Sequence, residues 1–216
     1  MMAEMHGRDL IRRHVALGLL IALPLSFYLA SADSRGVSSG GVGMAFAVSG
    51  ASLFSVLSSR EVDQRLVLTG YRPIELLLGR LFFLGPLGLI IGGGFSAVMA
   101  IMSSPARPWV MALGVAAVAL EALAFGLAVG AIVPLELEGT LILIGVIGIQ
   151  LAVQLNSTLS KALPFYGPRR LIVSSLVTRG PIAGPLLQTA AYGIALLTIA
   201  RIFNSRRIDI ERHDIL

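Results

Sequence analysis

Few side chains in this sequence are equipped for chemistry, and their spacing closes most routes that enzymes use. The histidines are His6, His14 and His213, with no H-x-x-x-H or H-E-x-x-H pair to place two ligands on one helix face. Cysteine is absent, which excludes thiolate chemistry and a disulfide framework. A phosphate-cradling loop needs G-x-x-x-x-G-K-[ST], and the single lysine, Lys161, follows no such loop. ATP hydrolysis within this chain is therefore not expected. No serine in an apolar segment has a basic partner, so embedded catalysis is not expected either, and no catalytic or metal-binding residue is assigned. What remains is a set of polar residues in apolar surroundings (Glu121, Gln150, Gln154 and Asn156) and one charged segment over residues 59–80.

The elements that carry these residues follow from composition. Of 216 residues, 56% are hydrophobic and only 13% charged, about half the charge of an ordinary soluble domain. The mean hydropathy is +0.85. Apolar residues fall in long blocks, which predicts an all-α integral membrane protein and excludes a soluble enzyme, a disordered tail and a disulfide-stapled module. No segment alternates with a period of two, so a β-barrel is not expected. Six transmembrane helices are predicted, over His14–Ala32, Gly40–Ser58, Leu81–Met102, Trp109–Pro134, Thr140–Leu155 and Ile182–Phe203. The fifth is short against the roughly 20 residues that cross a bilayer. The whole chain reads as one transmembrane domain. Residues 1–13 form an amphipathic N-terminal segment, 59–80 a loop on the inner side and 160–181 a re-entrant region on the outer side.

Arg8, Arg12 and Arg13 precede the first apolar run, and Ala30-Ser31-Ala32 resembles a leader cleavage site. The run is long for a leader and has Pro24 in its middle, so a retained helix is expected. With six spans both termini share a side with the second and fourth loops. That side holds 11 basic residues against 6 on the other, which places both termini in the cytoplasm. The formal charge of +5 is then accounted for by arginines flanking membrane helices, and no nucleic acid is expected as a partner. Tyr28 and Trp109 are placed as interfacial anchors.

Glu121 is the one ionisable residue deep within a span. At helical spacing its neighbours are Gly114, Ala117, Val118, Ala124, Phe125 and Ala128, a mostly small face suited to close packing. Leu113, Leu120, Leu123 and Leu127 form the bulkier face expected to meet lipid. Glu121 is thus expected to point into protein, as a protonated structural hydrogen-bonder, a polar contact in a substrate path or a proton relay. Gln150 and Gln154, four apart, are expected to share a face that Asn156 extends, serving interhelical hydrogen bonds or lining a path. The spacings Gly88-x-x-x-Gly92 and Gly126-x-x-x-Gly130 permit close helix packing.

The charged segment is the richest. Residues 60–69 read as a short amphipathic helix, with Glu61 and Arg65 in the favourable i,i+4 order. Gly70 is placed to end it in a left-handed conformation, and Pro73 suits the first turn of a following helix. On residue types alone this is either an interfacial linker whose arginines touch lipid phosphates or a docking element for a cytosolic partner.

The run E-x-x-x-R-L-x-x-x-G-Y-R-P-x-E-L-x-x-G-R over Glu61–Arg80 resembles the coupling loop of ABC-2 type transporter permeases. The turn Pro134-Leu135-Glu136-Leu137-Glu138-Gly139-Thr140 is similar to that family's short acidic turn before the fifth span. Leu163-Pro164-Phe165-Tyr166-Gly167-Pro168, with residues 172–178, is similar to its short helices dipping into the outer leaflet. The external loops are shorter than in many members. The resemblance implies the membrane subunit of an ATP-driven exporter in a bacterial plasma (inner) membrane. It would act as a dimer with an identical or homologous permease and with a separate ATP-binding subunit that carries ATP and Mg. Glu61, Asp63, Arg65, Thr69, Gly70, Tyr71 and Arg72 are then the candidates for ATPase coupling. Glu121, Gln150, Gln154 and Asn156 are the candidates for a path taken by a hydrophobic or amphipathic substrate. The alternative reading is a membrane scaffold or a small secondary transporter that uses no ATP.

Overall fold

A computed structural model describes residues 14–31 and 36–213, so the N-terminal segment 1–13 lies outside the described residues. Among the described residues all regular structure is helical: α1 (His14–Ala30), α2 (Gly36–Ser58), α3 (Arg60–Leu68), α4 (Pro73–Ser103), α5 (Pro108–Ile132), α6 (Glu136–Ala152), α7 (Thr158–Lys161), α8 (Tyr166–Ser174) and α9 (Ala183–His213). Four of them, α2, α4, α5 and the stretch Ala183–Arg206 of α9, are long and apolar enough to cross a membrane. At 17 residues each, α1 and α6 are shorter.

The helix expected from Leu81 begins eight residues earlier and runs unbroken through Pro86. Its start is fixed locally. Arg72 is extended, Pro73 enters at the first helical position where its missing N–H costs nothing, and the Arg72 N–H donates to Glu75 Oε2 at 2.9 Å.

α5 is the hub, packed by α2, α4, α8 and α9. In its most apolar stretch 83% of residues are buried, against 6% in α9. Glu121 points inward as expected. The expected lipid face is corrected: Leu120 is 49% exposed, but Leu123 and Leu127 are buried. α4 covers that side, with Leu123 Cδ2 only 3.8 Å from where a Cβ on Gly85 would sit. On the adjoining face, about 60° round the helix, α2 comes very close. A Cβ on Gly126 would lie 2.0 Å from Ser52 Oγ and 2.1 Å from the Ser49 carbonyl oxygen, and one on Gly130 would lie 2.9 Å from Val56 Cβ. Gly88 and Gly92 face looser contacts, with nearest atoms at 3.7 and 3.3 Å.

Tyr28 is also corrected. It is buried edge-on against Phe95, with centroids 6.2 Å apart, because α1 folds back onto α2 at Gly40. Trp109 is exposed at the start of α5.

The bundle has two ends. One carries α3, the start of α4 and the end of α5, with Asn204 of α9 donating to the Pro73 carbonyl at 3.3 Å. The other carries α7, α8 and the start of α5. There α8 runs antiparallel along α5: Phe165 lies beside Glu121, Ile172 beside Gly114, and the Arg107 N–H donates to the Ser175 carbonyl. Arg107 also sends its guanidinium to the Ser174, Val177 and Gly180 carbonyls, holding the turn that leads to α9. Arg107→Ala is expected to lower stability by about 1–3 kcal/mol, and Arg107→Lys to recover only part, since one ammonium lacks the planar fork. Thermal unfolding in detergent measures both.

Candidate functional site

The charged segment folds as helix, tight turn, helix. α3 ends in a Schellman turn: the Tyr71 N–H donates to the Leu66 carbonyl (3.1 Å) and the Gly70 N–H to the Val67 carbonyl (3.0 Å). Gly70 has φ +105°, which a side chain would strain. The Thr69 hydroxyl donates back to the Leu66 carbonyl at 2.8 Å. Glu61, Arg65, Thr69, Gly70, Tyr71 and Arg72 all lie exposed on this element, joined by Val62 and Leu68. Asp63 is different. It is 16% exposed and ion-paired with Arg80, which is 3% exposed and also donates to Ser59 Oγ.

Two residues that sequence reasoning left aside matter here. Arg60 donates to the Pro134, Val133 and Gly130 carbonyls at the end of α5, and Arg80 grips the first turn of α3. These partners lie 17 to 74 positions away, beyond the reach of any local signal.

The four path candidates do not share one surface. Glu121 is 1% exposed, and its Oε1 accepts the Phe165 N–H at 3.0 Å. Phe165 itself has φ +66° and packs edge-on against Phe125 at 5.7 Å. Glu121 thereby serves the residue that opens α8, whose N-terminal donors need partners. Pro168 helps by carrying no N–H in that first turn.

Gln150 is buried beside a small cavity shared with Val42, Val118, Ile147 and Phe165, and its amide makes no hydrogen bond to protein. α6 ends at Ala152, so Gln154 leaves the helix and the expected polar stripe does not form. Gln154 and Asn156 are exposed in the following turn, where Arg170 donates to Asn156 Oδ1 at 3.4 Å. Arg169 binds the rim together, donating to Ser38 Oγ (2.6 Å) and to the Gln150 and Val153 carbonyls (2.6 and 3.0 Å). No group of three or more His, Cys, Asp or Glu able to hold a metal occurs among the described residues.

Fold and composition define an all-helical membrane-embedded protein. Compared with known proteins, the chain matches no family model, and no curated protein aligns with it significantly.

Proposed function

We propose that this chain is the permease subunit of an ATP-driven exporter of the ABC-2 type. It makes six membrane passes, formed by α1, α2, α4, α5, α6 and α9, with both termini in the cytoplasm of a bacterium. It pairs with a second permease, identical or homologous, and a separate ATP-binding subunit holds the ATP and Mg. Closure of the ATPase pushes α3, and the bundle moves a hydrophobic or amphipathic substrate outward.

The observation that carries this reading is the face of α3 and its turn. A short helix ended by Gly70 presents Glu61, Arg65, Tyr71 and Arg72 outward beside two apolar side chains, Val62 and Leu68. Charged and apolar groups together suit a protein partner better than bulk lipid alone.

The test is charge reversal, Glu61→Arg with Arg65→Glu. Substrate moved per ATP hydrolysed is expected to fall at least tenfold while membrane insertion and thermal stability stay unchanged. Equal loss of folded protein would show that the loop is only structural. Full activity without an ATP-hydrolysing partner would favour a scaffold or secondary transporter.

A further inference from the structure

We infer that Arg60 and Arg80 form a two-sided clamp that makes α3 a rigid lever, transmitting force on it to α4 and α5 together. The transmission rests on the proposed function; the clamp itself is a property of this chain alone.

Apolar packing cannot fix α3. Val67 is its only buried residue, set against Leu76 and Leu66. Nine residues are too few for a helix to persist unaided in water. A helix held so lightly would yield when pushed, and the push would be lost.

Hydrogen bonds from two arginines supply the stiffness instead. Arg60, the first residue of α3, spreads its guanidinium over the Gly130, Val133 and Pro134 carbonyls. These belong to a helix end whose last carbonyls have no intrahelical donor and where a cation is favoured. Arg80, on α4, reaches back to Asp63 and Ser59. A buried guanidinium without a partner is costly, so Arg80 holds Asp63 wherever α3 goes. Arg60 uses both terminal nitrogens of its planar fork, Nη1 on Pro134 and Nη2 on Gly130 and Val133, whereas Arg80 reaches Asp63 and Ser59 through Nη2 alone. The clamp closes on the first turn of α3 from two sides, leaving its outward face uncovered.

The experiment uses the full chain in lipid nanodiscs, with Arg60→Gln, Asp63→Asn, Arg80→Gln and the swap Asp63→Arg/Arg80→Asp. Hydrogen exchange of the amides of residues 63–69 is expected to quicken at least tenfold in the single variants, with the α5 amides of residues 115–128 unchanged. With the ATPase subunit bound, substrate moved per ATP is expected to fall at least tenfold although the subunit is retained, and the swap is expected to restore part of it. If Arg80→Gln does not fold, Asp63→Asn carries the same arm. Unchanged exchange in Arg60→Gln and Asp63→Asn would overturn the clamp. Faster exchange with undiminished transport per ATP would overturn its role in transmission. Exchange is read on the chain alone, so failure to find any ATP-hydrolysing partner refutes the proposed function, while the exchange result still decides the clamp.

Discussion

Gly126→Leu is expected to yield no folded, monodisperse protein, and Gly126→Ala to lose about 1–3 kcal/mol. At this position α2 and α5 approach so closely that even one added carbon meets Ser52 Oγ at 2.0 Å and the Ser49 carbonyl oxygen at 2.1 Å. A hydroxyl can rotate aside, but the Ser49 carbonyl is backbone and moves only with the helix. α5 also packs against α4, α8 and α9, so displacing it from α2 disturbs these contacts as well. Two substitutions serve as controls. Gly88→Ala has its nearest contact at 3.7 Å, and Gly145→Ala meets nothing within 4 Å. Both are expected to behave as the parent in size-exclusion chromatography and thermal unfolding. Equal tolerance at Gly126 would show that the α2–α5 contact is not the close one described.

Glu121→Leu is expected to detach the start of α8, whereas Glu121→Gln is expected to be nearly neutral. Gln keeps an oxygen where Oε1 accepts the Phe165 N–H; Leu leaves that donor buried without a partner, at about 1–3 kcal/mol. Phe165 makes the position sensitive, because a non-glycine residue at φ +66° already costs roughly 1–2 kcal/mol. Once the hydrogen bond is gone, Phe165 keeps its edge contact with Phe125 and the Arg169 N–H on its carbonyl, but its own N–H has lost its partner. Hydrogen exchange over residues 165–171 measures the effect, with at least tenfold faster exchange expected in Glu121→Leu only. If Glu121→Gln were as damaging to transport as Glu121→Leu while α8 stayed protected, a carboxyl-specific role such as proton relay would replace the structural one.

The features legible in the sequence are those set within a few residues. Gly70 ends α3 because only glycine takes φ +105° cheaply, and Pro73 starts α4 because its ring presets the first turn. The inward direction of Glu121 was readable because its helical neighbours are small. The burial of Leu123 and Leu127 was not. A helix that is apolar all round carries no stripe to say which side meets lipid and which meets α4. The break after Ala152 separates Gln150 from Gln154, and no glycine or proline between Gly148 and Pro164 announces it. Arg60 and Arg80 looked like ordinary flanking cations. Their partners on Pro134 and Asp63 exist only once α3, α4 and α5 are assembled.

The most direct measurement is purification of the tagged chain from its native membrane in mild detergent, followed by assay for ATP hydrolysis before and after the Glu61→Arg/Arg65→Glu reversal. A stoichiometric ATP-hydrolysing subunit is expected to stay with the parent chain, its hydrolysis driving transport only when Glu61 and Arg65 are intact. A chain that purifies without any such subunit and remains fully active in vesicles would contradict the proposed function.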